Sequence, residues 1–231
     1  MYKNKSILAI IPARGGSKGL KNKNLKKINN ISLIKRTCNI IKKIKMIDLG
    51  IISSDNKKII YEGNKCGLKS YFIRPKRLSG DRVPDLAVLK HALLITEKKI
   101  NKKFDVIIML QVTSPLRKVS EVKNCIKTLI NKKMESVWTV SEVDKKYHPL
   151  KQLILNGEKL KYYSNNGSKI IARQQLSKTY IRNGAAYAFT RNCLLKNKIL
   201  THKTSAIILR TKQISIDTIK DLTTVKNILK N

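Results

Sequence analysis

The sequence predicts an α/β fold: a mostly parallel sheet flanked by helices, with a β-arm protruding from it. Three observations carry that expectation. Short isoleucine- and valine-rich runs of strand length alternate with segments whose apolar residues recur at helical spacing. The order is βα repeated, which favours parallel strands joined by helical crossovers. The rhythm then breaks between about residues 144 and 182, where a polar, tyrosine-bearing stretch holds Asn156-Gly157 between Leu153-Ile154-Leu155 and Leu160-Lys161-Tyr162, a hairpin signal. At 231 residues the chain can bury one good core, so residues 1–231 read as one domain with an excursion at 144–182.

The first strand is the apolar run Ile7 to Ile11, closed by Pro12. Ile31, Leu33, Ile34, Cys38, Ile41 and Ile44 then mark a helix over 32–45. Leu49 to Ser53 is a second strand, with Ser54-Asp55 as the cap of a helix reaching Cys66. Ser70 to Ile73 reads as a third short strand stopped by Arg74-Pro75, and a loop over 76–85 leads into a helix over 86–100. Asp105 to Leu110 is the cleanest strand, with charged or polar residues at both ends. A helix over 118–131 and a strand over 136–140 follow. After the arm, strands are expected over 185–190 and 207–209, and an amphipathic helix over 218–230 ends the chain.

The formal charge of +36 suggests a polyanion partner. The lysines, however, come as scattered pairs, such as Lys42-Lys43, Lys98-Lys99 and Lys132-Lys133, on helix faces or in loops. Spread charge is a solvated surface, and no specific nucleic-acid partner is expected. Cys38, Cys66, Cys125 and Cys193 lie far apart with three histidines among them, which argues against zinc and for buried apolar thiols. No apolar stretch approaches the ~20 residues that a bilayer crossing needs, and no signal-peptide pattern opens the chain, so a soluble cytoplasmic protein without a membrane partner is expected.

Chemistry gathers where the strands end, the place where open parallel sheets bind ligands. After the first strand, Gly15, Gly16 and Gly19 alternate with Arg14, Lys18, Lys21 and Lys23, a combination that describes an anion cradle. It matches neither the Walker loop nor the dinucleotide fingerprint. Local chemistry alone leaves a surface turn with solvated lysines open as the lesser alternative. Arg74 to Asp85 and Gln111 to Arg117 lie at two further strand ends, and one cleft could collect all three segments.

Five stretches in order, I-P-A-R-G-G-S-K-G-L-K-N-K-N-L, R-P-K-R-L-S-G-D, L-Q-V-T-S-P-L-R, R-Q-Q-L-S-K-T-Y-I-R-N-G-A-A-Y and I-D-T-I-K-D-L, resemble the acylneuraminate cytidylyltransferases, the CMP-sialic acid synthetases and their relatives. The resemblance spans the chain nearly end to end. It implies a Rossmann-like nucleotidyltransferase fold, a homodimer, and a magnesium-dependent reaction. In that reaction CTP and a nonulosonic acid give CMP-nonulosonate and pyrophosphate for cell-surface glycan synthesis. By the same resemblance Arg14, Lys18, Lys23 and Asp217 are catalytic. Gly15, Gly16, Ser17, Gly19, Asn24, Arg74 and Val83 bind the nucleotide, and Gln111, Arg173, Asn183 and Tyr187 bind the sugar. Arg173 would face the sugar carboxylate, where a cation is physically sensible. Tyr187, one ring in an expected strand, fits core packing equally well, and Arg74-Pro75 fits a plain strand-ending turn. Asp81 is expected to organise its loop through backbone hydrogen bonds rather than touch nucleotide, and Lys21 lies outside the matched pattern.

Two departures stand out. Many members carry Asp-x-Asp where this chain has Ser215-Ile216-Asp217, so Asp217 is the single expected magnesium ligand from that pair. Val112 stands where proline is common. A KDO cytidylyltransferase fits less well, because its first loop normally differs from G-G-S-K-G. Legionaminic or pseudaminic acid in place of N-acetylneuraminic acid stays open as the acceptor. So does a degenerate, non-catalytic binder of nucleotides or polyanions.

Overall fold

In the computed structural model, residues 1–197 and 200–230 are described; Lys198, Ile199 and Asn231 lie outside them. The apolar run after the N-terminus forms β1 (Ile7–Pro12). Two short antiparallel strands, β2 (Lys27–Ile28) and β3 (Ile31–Ser32), lead into α1 (Leu33–Lys42), where the Ser32 hydroxyl accepts the Lys35 amide as an N-cap. Then come β4 (Leu49–Ser53), α2 (Lys57–Lys65), α3 (Asp85–Ile100), β5 (Val106–Met109), α4 (Val119–Asn131) and β6 (Ser136–Glu142). The arm carries β7 (Leu153–Asn156) and β8 (Lys159–Tyr162). The chain re-enters the sheet as β9 (Tyr180–Thr190), followed by α5 (Arg191–Leu195), β10 (Thr204–Ile208) and α6 (Ile219–Ile228).

The main sheet has the order β10-β6-β9-β5-β1-β4. The β4/β1, β1/β5 and β6/β10 pairs are parallel, whereas β9 runs antiparallel to both β5 and β6. The expected mostly parallel sheet is present, with one reversed strand at its centre. Alternation along β1 divides the core. Ile7, Ala9 and Ile11 pack with residues of α1, α4 and α6, while Leu8 and Ile10 pack with α3 and α5. All these β1 side chains are fully buried, which is why the strand reads as a continuous apolar run.

Several expectations need correction. No strand forms over 70–73: Lys69 makes one parallel bridge to Ile51, and the chain then turns so that the Arg74 amide donates to the Ser54 carbonyl at 2.8 Å. The Ser70 hydroxyl donates to the Ile52 and Phe72 carbonyls, taking up acceptors that a ladder would use. The cap of α2 is Asn56, not Ser54-Asp55; its side-chain oxygen accepts the Lys58 and Ile59 amides. Asp55 is drawn away to the first loop. The strand expected from Ala185 starts five residues earlier, at Tyr180, because its exposed front end pairs by backbone with the end of β6 and shows no burial pattern to read. Among the described residues no helix is long and apolar enough to cross a membrane.

The arm leaves the sheet after β6 and returns at β9. Its hairpin, with Gly157 in the left-handed region at φ 62°, exposes every residue of β7 and β8, including Leu153, Leu155, Leu160 and Tyr162.

Candidate active site

A cleft of about 580 Å³ opens beyond the carboxyl ends of β1 and β5, walled by the segment from Arg74 into α3, with Ser215 and Asp217 on one side of it. The loop after β1 enters it because Pro12 ends the strand and the Gly15 amide donates to Asp55 Oδ1 at 2.8 Å, a tether to the loop after β4. The Asn24 side chain is buried and donates to the Arg14 carbonyl at 2.8 Å, folding the loop back on itself. None of Gly15, Gly16 and Gly19 has a left-handed backbone. Close approach is what Gly19 supplies: a Cβ there would lie 2.7 Å from the Asp217 carbonyl oxygen. Gly16 faces open space.

The cations of this loop meet carboxylates across the cleft. Lys23 Nζ lies 2.7 Å from Asp217 Oδ1. Lys18 Nζ lies 2.7 Å from Asp81 Oδ2, and Arg14 pairs with the other oxygen of the same carboxylate. Hydrogen bonds from Lys18 and then Arg14 hold the Asp81 carboxyl below its ordinary value. The Asp81 carboxylate thus acts through ion pairs to the first loop, in place of the backbone hydrogen bonds expected of it. Arg74 is buried in the cleft wall, where its Nε donates to the Ser79 hydroxyl at 3.2 Å. Desolvation lowers its pKa, with Asp55 opposing that shift.

The cleft brings together Arg14, Ser17, Lys18, Gly19, Lys23 and Asn24 from the first loop with Arg74, Val83, Gln111 and Asp217. Three expected sugar residues stand elsewhere. Asn183 is spent inside the sheet, accepting from the Thr139 hydroxyl at 2.7 Å and donating to the Ser141 hydroxyl at 3.1 Å. Tyr187 is buried, its hydroxyl accepting the Gly184 amide at 2.7 Å and its ring set against the Trp138 edge at 5.5 Å. Of its two readings, core packing is the one the geometry supports. Arg173 sits on the arm, exposed, 3.4 Å from Asp144.

Arg117, Gly184 and Asp85 carried no functional role in the sequence, and Asp55 only that of a helix cap. Asp55 tethers the first loop, as above. Arg117, the last residue of L-Q-V-T-S-P-L-R, is buried and donates through one nitrogen to the carbonyls of Gln111 and Gly184, tying the exit of β5 to β9. Burial pushes its pKa down to about 9. Gly184, at φ 72°, lies against the Gln111 amide, and a side chain there would collide with it. Asp85, at the start of α3, has its Oδ2 3.5 Å from Gln111 Nε2.

A magnesium ion takes one or two carboxylates and keeps several waters. Asp217 fits the part of a lone carboxylate: it borders the cleft, one oxygen holds Lys23, and Ser215 stands beside it without charge. No group of three or more histidine, cysteine or acidic residues suited to hold an ion exists among the described residues. Any ion here would therefore rely on the substrate's phosphates.

The family model described as Cytidylyltransferase matches residues 8–230. The chain is 30% identical over 218 residues to the post-translational flagellin modification protein B of Campylobacter coli, covering 94% of this chain and 91% of that one. It is 29% identical to the CMP-N,N'-diacetyllegionaminic acid synthase of Campylobacter jejuni over 213 residues, 91% of this chain and 88% of that one. Against that organism's pseudaminic acid cytidylyltransferase it is 29% identical over 226 residues, 96% of each. Among solved structures, CMP:2-keto-3-deoxy-manno-octonic acid synthetase complexed with CTP superposes with a TM-score of 0.71 at 15% identity, over 97% of this chain and 98% of that one. At that identity the likeness speaks for the fold.

Proposed function

This chain belongs to the cytidylyltransferase family, and we propose that it transfers CMP from CTP to the anomeric hydroxyl of a nonulosonic acid, releasing pyrophosphate. The observation that carries the reading is the convergence of Arg14, Lys18 and Lys23 on one cleft at the strand ends, with Arg74 in its wall. In the reaction the hydroxyl oxygen bonds to the α-phosphorus, and the bond from that phosphorus to the bridging oxygen breaks. Pyrophosphate leaves with the electron pair, so negative charge grows on it and on the α-phosphate. Fixed cations stabilise such charge best when they are already in place.

In the resting cleft, Asp81 sits between Arg14 and Lys18, and Asp217 beside Lys23. A triphosphate would take over the first pair of contacts. Asp217 would hold magnesium, whose chemistry when bound is to offset the triphosphate's charge. Ser17 and Asn24 would serve phosphate or ribose, and Val83 the base edge.

The acceptor is read as a sialic-type acid. Legionaminic or pseudaminic acid is the second reading, favoured by relatives named for those sugars that match this chain over most of both lengths. Arg173, Asn183 and Tyr187 do not border the cleft, so in one copy of the chain Gln111 is left to meet the sugar. A homodimer accounts for this: the exposed apolar hairpin of the arm needs a surface to pack on, and a second copy would receive both the hairpin and Arg173. CTP as donor suits a cytoplasmic enzyme.

A pyrophosphate-release assay with CTP, magnesium and N-acetylneuraminic, legionaminic and pseudaminic acids tests the reading. Release with one of them is expected. CTP binding without release for any acceptor would identify a degenerate binder.

A further inference from the structure

Three carboxylates line the cleft: Asp81, Asp85 and Asp217. Their surroundings differ. Asp81 is held by Arg14 and Lys18, and Asp217 by Lys23. Asp85 has no cation within ion-pair distance among the described residues, and its carboxylate meets the neutral amide of Gln111. A carboxylate without a paired cation is costly in a site that must receive a triphosphate and an acidic sugar, unless it performs a step that a paired one cannot.

The reaction proposed above requires such a step. The anomeric hydroxyl must lose its proton as its oxygen bonds to the α-phosphorus, and some group must take it. Histidine is not available. His91 stacks edge-on against Phe72 at 5.0 Å, His148 is buried at the arm, and His202 is exposed away from the cleft. Asp81 is weakened as a base by the Lys18 and Arg14 cations that hold it, and one Asp217 oxygen is taken by Lys23.

Resting on the reading of this chain as a CMP transferase, we propose that Asp85 is the general base, its carboxylate accepting the anomeric proton of the sugar beside Gln111. As the new oxygen–phosphorus bond forms and pyrophosphate departs, the proton moves to Asp85 and then to solvent when product leaves. Gln111, whose backbone is clamped by Arg117 and whose side chain is confined by Gly184, holds its amide toward this carboxylate.

The groups facing Asp85 are consistent with a base of raised affinity for protons. Desolvation raises its carboxyl above the ordinary value; Arg182 from β9, the Gln111 amide, and Arg74 from the segment after β4 pull it down without cancelling the rise. Tyr187, also on β9, is neutral, its own pKa raised by burial. Arg182 is turned toward the Trp138 ring, 5.5 Å from its centre. Substrates filling the cleft would remove more water from Asp85 and strengthen the effect.

The test is a pH–rate profile of the wild type, Asp85→Asn and Asp85→Glu. Wild-type kcat should fall on the acidic side with an apparent pKa above that of an ordinary carboxylate. Asp85→Asn should lose about 10²- to 10⁴-fold in kcat and lose that acidic limb, with the KM for CTP held within about threefold. Asp85→Glu should recover part of both, and CTP-induced thermal stabilisation would show each variant folded. An Asp85→Asn variant that keeps the acidic limb, or that raises KM at unchanged kcat, overturns the base assignment and leaves CMP transfer standing. A wild type that releases no pyrophosphate with any acceptor overturns both.

Discussion

The cleft and the arm are both rich in cations and polar side chains, yet they are built in opposite ways. In the cleft each exposed cation is anchored from behind. The first loop is tied down by Asp55 and Asn24, and its charges meet Asp81 and Asp217, carried by segments distant in sequence. In the arm the hairpin leaves Leu155 and Leu160 exposed, and the Arg173 side chain meets Asp144, itself exposed. The difference separates a site organised before its ligand arrives from one that is completed by another surface. Preorganised charge acts on the transition state, whereas charge on an uncovered arm acts through assembly and binding.

Lys18→Ala gives the largest expected effect on that contrast. Removing one oriented charge from the anchored cleft should cost about a hundredfold in turnover with the fold intact. Steady-state kinetics beside a thermal melt would check it; normal turnover in a folded variant would return Lys18 to the solvated surface.

Arg173→Ala probes the arm. A charge-assisted hydrogen bond to a carboxylate supports a rise of roughly tenfold to a hundredfold in the apparent constant for the sugar, with that for CTP little changed. Mixing this variant with Lys18→Ala should recover part of the activity, because a mixed dimer would contain one site with both residues intact. Failure to complement, with dimers present by sedimentation, would place the Arg173 contact within one chain.

Leu155→Lys with Leu160→Lys addresses the hairpin surface directly. Both side chains are exposed in the isolated chain, so the monomer should fold normally while the dimer dissociates by size-exclusion chromatography with light scattering. An unchanged dimer would show that another face joins the copies.

The smallest effect is expected at the cleft edge. Ser215→Asp should lower the magnesium concentration for half-maximal rate by a few-fold and Asp217→Asn should raise it, since a nearby anion favours a divalent cation. Coincident magnesium titrations for wild type and both variants would remove Asp217 from metal binding.

Residue order alone carried much of this protein. The continuous apolar runs of β1 and β5 and the helical periods of α1 and α3 reported burial on a regular lattice, and such lattices leave a period in the sequence. The first-loop cations, Arg74 and Gln111 were legible because all lie at strand ends, and parallel strands bring their ends to one edge of the sheet. Other features depend on contacts between distant residues and leave no local pattern. Ser70 to Ile73 has strand composition, but the Ser70 hydroxyl takes its Phe72 carbonyl and the Ile52 carbonyl of β4, and the Arg74 amide that follows turns toward Ser54. Asn183 and Tyr187 sit in a matched motif, yet the register of β9 between β5 and β6 turns both into the sheet, and a register cannot be read from one strand. The same holds for which carboxylates are paired. Asp81, Asp85 and Asp217 are alike as letters, and only the folded backbone, by bringing Arg14, Lys18 and Lys23 to two of them, leaves the third without a cation at ion-pair distance among the described residues.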